Sequence, residues 1–554
     1  MSKKTWQKVL GLILAAIMVI GLVGCGKPDN GKTTKAPEQT KAPEQSQGSD
    51  PTDAPTDAVE EITYPLDTDI ELTWWSQSDI KYKSAFQSAE ESPFHIGLSK
   101  NTGVKLSWEF PQDGVSTSQA FNLLMTEKVE DMPHLIHNSI GADKGETMIE
   151  DGIIWDLTEY LPKYAPDYWE FLHSNPENKP SAMTDSGKYY IFIGGNESEV
   201  SITYMGLAVR KDWLDECGLE VPTTIAEFEN VLVKFKEKYG AVYTSPKLGL
   251  GVASGTGAFA EESAKWYADN GEVKFANNKD EYKAMLEVLN RWYEQGLMDP
   301  DFFTNDNATV RSKCMNNETG AMYIGSGTYR NILDDAEGTG AEWIGIPALV
   351  TEDGAKVTFY QTTRTNMASS KGTVITKACS EEELIVALKL LNYGFTEEGH
   401  MYWNFGDEGV SYTLDSEGNP HWTDLITKSE VGENTAYEWY CSAGPSVTCE
   451  KKTRLLNKGQ AGEAIDAWIT NGEYARECYM PTVRYTTEES AVYRDTYNAI
   501  NTYVKECVQK FILGEMSLDK WDTYTSTLES MGVEKCRQIQ QAAYDRWLGL
   551  VEGE

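Results

Sequence analysis

From Ile70 onward, runs patterned as β-strands alternate with runs patterned as helices, and few architectures accept that order. Ile70-Glu-Leu-Thr-Trp-Trp75 alternates apolar and polar residues, then turns polar at Ser76-Gln-Ser-Asp79, as a strand does when it ends in a loop. Val104–Phe110 reads as a second strand after Lys100-Asn-Thr-Gly103, Ser118–Thr126 as a helix, and Asp131–Ile136 as the entry to another strand. Such alternation predicts an α/β lobe with a largely parallel sheet, in which ligands sit where the strands end. The roughly 490 residues after Pro65 carry every tryptophan except Trp6. That length exceeds what one hydrophobic core organises, so two lobes are expected.

The segment before Pro65 has a different character. Lys3, Lys4 and Lys8 precede an apolar run from Val9 to Val23, short of the ~20 residues that span a bilayer and patterned as a signal peptide. The run closes with Leu22-Val23-Gly24-Cys25-Gly26, which resembles the lipobox of bacterial lipoproteins and implies cleavage before Cys25 and lipidation of its sulfur. Between Gly26 and Pro65 the chain repeats Thr34-Lys-Ala-Pro-Glu-Gln39 as Thr40-Lys-Ala-Pro-Glu-Gln45, then runs Asp50-Pro-Thr-Asp-Ala-Pro-Thr-Asp57. This stretch has too little apolar surface to offset its ordering entropy and is expected to be a tether. The net charge of −37 disfavours nucleic acid and supplies no polybasic patch for lipid headgroups.

Two helices carry clear punctuation. Asn278 is placed to cap a helix with Glu281 reaching back, Met285, Val288, Leu289, Trp292 and Tyr293 share one face, and Gly296 ends it. Near the C-terminus, Ser517 precedes Leu518, Trp521, Tyr524, Leu528 and Met531 at helical spacing, Gly532 stops that helix, and a further amphipathic segment runs from Val533 to Trp547. Beyond Cys25, the cysteines (217, 314, 379, 441, 449, 478, 507 and 536) form no C-x-x-C pair, so zinc-ribbon and thioredoxin-type motifs are unsupported. Cys441 and Cys449 are near enough in sequence for a local disulfide, which an extracytoplasmic location would permit.

Residues Tyr204-Met-Gly-Leu-Ala-Val-Arg-Lys-Asp-Trp-Leu-Asp-Glu-Cys-Gly-Leu-Glu-Val-Pro-Thr-Thr-Ile-Ala-Glu-Phe228 resemble a signature of family 1 extracellular solute-binding proteins, the receptors of carbohydrate ABC importers. The physics agrees, since Thr224 can cap a helix with Glu227 at its third position. Asp185-Ser-Gly-Lys-Tyr-Tyr190, Trp292–Phe302, Glu342–Pro347, Phe405-Gly-Asp-Glu-Gly409, Phe511–Trp521 and Ala543–Arg546 follow in order and resemble the oligosaccharide-binding branch with a long C-terminal region. Some members of that branch carry a calcium loop after this helix. Here Lys238–Lys247 holds no carboxylate, so no calcium is expected there.

The resemblance implies a two-lobed, periplasmic-binding-protein-like α/β fold, each lobe a mainly parallel sheet flanked by helices, with the ligand cleft between them. It implies a signal peptide over 1–24, a lipidated tether over 25–65, an N-terminal lobe from 66–198 plus 368–430, and a C-terminal lobe from 199–367 plus 431–554. Crossovers are expected near 195–203, 364–370 and 425–435. Implied partners are a carbohydrate and the permease subunits of an ABC importer, with membrane contact through the lipid alone, a monomeric state, and no cofactor.

Sugars offer C–H faces to aromatic rings and hydroxyl edges to polar groups. Candidate contacts are therefore Trp74, Trp75, Ser76 and Gln77 at the first strand end, Asn138, Asn196, Trp266, Tyr267, Tyr360, Trp403, Phe405, Trp439 and Tyr440. A core role suits any one of these aromatics equally well. Arg364 could bond hydroxyls or a uronate, or form an interlobe ion pair. No catalytic residue is assigned, because glycosidase chemistry needs carboxylate separations that spacing does not supply. No metal ligand is assigned either: His134 and His137 have no zinc motif around them, and the Gly249-Leu-Gly251 stretch fails dinucleotide spacing. A lipid-anchored glycan-degrading enzyme and a sugar-presenting sensor module are the competing functional classes.

Overall fold

The strand expected at Ile70–Trp75 forms as Glu71–Ser76, flanked in parallel by Lys105–Glu109 and Leu135–Asn138. The computed structural model describes residues 61–76, 85–112, 114–184, 186–197, 205–245, 266–351, 371–442, 444–470, 477–478, 480–481 and 483–552, all within the unit Asp57–Glu554. The signal-like run, Cys25, most of the tether and much of the expected crossovers at 195–203 and 364–370 lie outside the described residues.

The first sheet has five strands, in the order Lys105–Glu109, Glu71–Ser76, Leu135–Asn138, Gly372–Ile375 and Phe192–Ile193. The second has four: Trp343–Ile346, Met205–Arg210, Thr319–Gly325 and Val242–Thr244. The chain leaves the first sheet after Ile193, builds the second, and returns with Gly372–Ile375. That returning strand enters from the far side and pairs antiparallel with both neighbours. Met205–Arg210 is likewise antiparallel to both of its neighbours. Among the described residues, each sheet is therefore mainly parallel, as expected, with a single strand running against the others, because these two strands are not fed by simple strand–helix–strand crossovers.

Strand periodicity then distributes the side chains. In the second sheet Leu207, Val209, Ala321 and Tyr323 face one core, while Ala208, Met322 and Ile324 face another, the two-residue alternation of a sheet covered on both faces. The helix Gln460–Ile469 covers the second of these faces, and the Trp468 indole donates to the Leu207 carbonyl at 2.7 Å. Such close approach requires Gly206 and Gly345, where a Cβ would overlap the Trp468 ring and Ala464 respectively. The opposite face is covered by the helix Ile225–Tyr239 through Phe228, Val231, Leu232 and Phe235, and the helices Thr487–Ile512, Trp521–Met531 and Val533–Glu552 extend the same core with Val504, Phe511, Trp521, Tyr524, Leu528 and Cys536. A separate core surrounds the first sheet, with Leu72, Leu135, Ile136, Val374 and Leu388 at its centre.

Helix starts follow local chemistry. Capping boxes form at Ser116/Gln119, Thr224/Glu227, Ser380/Glu383 and Thr486/Glu489. The box expected at Asn278 does not: Ala276–Asn278 folds as a short 3-10 turn, and the helix begins at Asp280 with Lys279 as its cap. Its end is as expected, since Gly296 is left-handed and the Leu297 N–H bonds the Trp292 carbonyl at 2.8 Å. Cys441 and Cys449 are both buried free thiols, with no disulfide between them.

Candidate functional site

The strands Glu71–Ser76 and Leu135–Asn138 end side by side, with Ser76 opposite His137. Beyond them the chain turns through Ser139 and Ile140 into the helix Ala142–Glu150, capped by Gly141. Beside this turn a cavity of about 500 Å³ opens between elements of the two main cores, within the ~300–1,000 Å³ range of small-molecule sites. Ile140, Asp143, Lys144 and Tyr190 line it from the first lobe. Arg484, Tyr485, Tyr493, Arg494, Tyr497 and Trp547 line it from the second.

The second-lobe wall is aromatic and ordered. Tyr485 stacks on Tyr493 at 4.6 Å between ring centroids, and Tyr493 on Tyr497 at 5.0 Å with 14° between planes. The Gln540 amide donates to the Tyr485 and Tyr493 hydroxyls, each at 2.6 Å. Burial pushes the Tyr485 phenol up to about 12 and raises those of Tyr493 and Tyr497 as well, so all three stay neutral and hydrogen-bonding at physiological pH. Three bonds already cross between the lobes: Arg484 Nη1 donates to the Met183 and Thr184 carbonyls at 3.1 and 2.6 Å, and Ser490 Oγ donates to Asp143 at 3.3 Å. Across the cavity, Tyr190 donates to the Ile140 carbonyl at 2.7 Å. Lys144 sits 4.1 Å from the centroid of the Phe121 ring, and burial lowers its pKa.

Tyrosine rings for C–H groups, phenol hydroxyls and the Asn498 amide for sugar hydroxyls, and the Arg484 and Arg494 guanidinium groups for either hydroxyls or carboxylates therefore line one cleft. A larger cavity of about 1100 Å³, lined by Arg311, Arg330, Asp334, Glu337 and Lys458, has no aromatic side chain among its described lining residues.

Several of the aromatics expected to contact a ligand are instead core residues. Trp74 is 2% exposed and stacks on Trp108 at 4.7 Å, and Trp75 packs on Phe121. Trp403 packs on Phe94, and Phe405, fully buried, packs between Tyr412 and Trp422. Trp266 and Tyr267 are buried in the second core, where Trp266 lies 6.3 Å from Tyr497 and so backs the tyrosine wall. The reason is common to them all: each ring is covered by the side chains of a neighbouring layer and belongs to a buried core.

Ser76 and Asn138 do sit at the strand ends, where Asn138 Oδ1 accepts from the Ser139 N–H at 2.8 Å. Asn196 pairs with Thr448 in a two-stranded ladder. Trp439 is half-buried, edge-on to Phe86 at 5.6 Å, and Tyr440 beside it is half-buried too. Gln77, Tyr360 and Arg364 lie outside the described residues. His134 and His137 bond separately to Thr73 and Thr373.

Sequence reasoning missed Tyr485, Tyr493, Tyr497 and Arg484. The only local signal was the four-residue step from Tyr493 to Tyr497, followed by polar Asn498, which places two rings on one helix face.

The family model for bacterial extracellular solute-binding proteins matches residues 81–401. The chain is 24% identical over 585 aligned positions to the fructooligosaccharide ABC transporter substrate-binding protein FusA of Streptococcus pneumoniae, covering 99% of both chains. It is 25% identical to the lipoprotein LipO of Bacillus subtilis, over 59% of this chain and 65% of that one. Among solved structures, the alginate-binding protein AlgQ2 without calcium ion superposes with a TM-score of 0.70 at 22% identity, covering 88% of this chain and all of that one. With the family model spanning more than half of its length and the two-lobed architecture around a cleft, the chain belongs to the bacterial extracellular solute-binding proteins.

Proposed function

We propose that this receptor captures an oligosaccharide outside the cell and hands it, unaltered, to the permease of an ABC importer. The observation that carries this reading is the aromatic-walled cleft, in which Tyr485, Tyr493 and Tyr497 from one lobe face Tyr190 and Lys144 from the other. The names of the relatives support the ligand class, since one binds fructooligosaccharides and another alginate. Binding needs no reacting group. Occupancy is signalled by closure of the lobes, a motion typical of two-lobed receptors.

Calorimetric titration of neutral and uronate-containing oligosaccharides tests the ligand. Affinity should rise from mono- to tri- or tetrasaccharide, because successive rings extend along the stacked tyrosines. Tight binding of a free monosaccharide with no gain from longer chains would refute the oligosaccharide reading, and release of shortened products would make the protein an enzyme.

The same reading places the receptor on the outer face of the membrane through lipid on Cys25, supported by the residues preceding that cysteine and by a relative named as a lipoprotein. Cys25→Ala should release the protein into the medium or leave it unprocessed, with sugar affinity of the folded part unchanged. Cell fractionation checks this, and full membrane retention of processed mutant would exclude the anchor.

A further inference from the structure

Away from the cleft, three different metal-ligating side chains meet. The carboxylate of Glu197, the imidazole of His400 and the thiol of Cys449 bring one ligand atom each to within 4.8 Å of one another, with His400 Nε2 3.7 Å from Glu197 Oε1. We propose that Glu197, His400 and Cys449 form a binding site for a borderline-soft divalent transition ion, Zn²⁺ in the first instance, with a fourth position open to solvent.

The donor set favours this ion. One imidazole, one thiolate and one carboxylate suit Zn²⁺ better than Ca²⁺ or Mg²⁺, which prefer all-oxygen shells. Metal–ligand bonds of about 2.0–2.3 Å in a tetrahedron place the donors roughly 3.3–3.6 Å apart. The 3.7 Å nitrogen–oxygen pair is already close to that separation. The remaining contraction falls mainly to Glu197, whose side chain is 46% exposed and can move. As the metal–sulfur bond forms, the thiol proton leaves to solvent.

The three donors are held together without the ion. Asn404, 2% exposed, donates to the His400 carbonyl at 2.9 Å and to the Val447 carbonyl at 2.8 Å, and its Oδ1 accepts from the Cys449 N–H at 3.0 Å. One buried amide thus ties the His400 helical turn to the strand that delivers Cys449. Glu197 is tied to the same strand, because Asn196 pairs with Thr448 and the Glu197 N–H bonds the Thr448 carbonyl at 3.2 Å. Prearranged backbones of this kind are what metal sites use to orient their ligands. Access is open as well: Glu197 and His400 line a cavity of about 450 Å³, Glu197 and Cys449 one of about 770 Å³. Positive charge from nearby Lys451 and Lys452 and a hydrogen bond from the Glu450 N–H to Glu197 at 3.3 Å oppose the ion, so moderate affinity is expected. Spacing hides the site, since its members are 203 and 49 residues apart (400 − 197 and 449 − 400).

The test uses the purified full chain incubated with Zn²⁺ or Co²⁺ and dialysed. One Zn²⁺ per chain should be retained by native mass spectrometry, and Zn²⁺ should raise the thermal midpoint. Co²⁺ should give a near-ultraviolet thiolate-to-metal band. Cys449→Ala should abolish that band, and His400→Gln should weaken Zn²⁺ binding by about tenfold or more. Cys441→Ala, which alters a neighbouring buried thiol outside the cluster, should keep both band and stoichiometry. Absence of retained Zn²⁺ in the unmutated chain overturns the proposal. Equal retention by Cys449→Ala and His400→Gln also overturns it, leaving Glu197 as a helix cap paired with His400. If Cys449→Ala fails to fold by circular dichroism, the His400→Gln affinity decides.

Discussion

Replacing Asp299 with alanine should lower folding stability by about 3–5 kcal/mol at neutral pH, the usual loss when one partner of a buried ion pair is removed. Asp299 is buried and receives four donors: Lys313 Nζ at 2.5 Å, Thr244 Oγ1 and Asn305 Nδ2 at 2.8 Å each, and the Asp301 N–H at 3.1 Å. These join the Val242–Thr244 strand to the Asn307–Met315 helix, and alanine would leave the Lys313 ammonium, 18% exposed, without its counterion. Burial alone would raise the Asp299 pKa, but the bonds from Lys313, Asn305, Asp301 and Thr244 outweigh it and hold the carboxyl below its ordinary value. A depressed carboxyl stabilises the fold fully above its unfolded-state pKa, and the contribution disappears as pH falls through the lower folded-state value. The stability gap between wild type and Asp299→Ala should therefore be widest above about pH 4–5 and shrink in stronger acid. Urea titrations at several pH values measure it. A gap that widens in acid would contradict the assignment.

Truncating the cleft wall should separate binding from folding. Tyr497→Ala removes a half-buried ring that stacks on Tyr493 and lines the cavity, and should weaken oligosaccharide binding by roughly 1–3 kcal/mol, about the value of burying one large side chain. That corresponds to about five- to 150-fold in Kd. A ligand moves a conformational equilibrium only by its differential affinity for the two states, so the variant should also close less at equal sugar concentration. Solution scattering should show a smaller radius of gyration for the wild type with saturating sugar and a reduced change for Tyr497→Ala. Unchanged affinity would move the ligand site away from the tyrosine wall. Identical radii with and without sugar in the wild type would indicate a receptor that is already closed.

Local patterns were legible where the physics is local. The Glu71–Ser76 strand, the Thr224/Glu227 capping box and the Gly296 and Gly532 helix stops appear in the structure where the residues indicate. The ordered motifs from Asp185 to Arg546 pointed to the family that the family model confirms over residues 81–401. Failure was instructive at Trp74, Trp403 and Phe405. An aromatic at a strand end or helix end has the same local pattern whether its ring faces solvent or a second layer, and here a second layer covers each one.

What the chain determined by itself was thus the kind of element where periodicity is strong, the expectation of two lobes, and the family, because these rest on periodicity, capping and contiguous motifs. Only the tertiary structure decided which rings meet the cleft and which ligating atoms meet each other. Tyr485, Tyr493 and Tyr497 become one wall when the Thr487–Ile512 helix is laid against Gln540. Glu197, His400 and Cys449 become neighbours when Asn404 fastens two distant segments together. Side-chain convergence over hundreds of residues is a property of packing, and no window along the chain contains it.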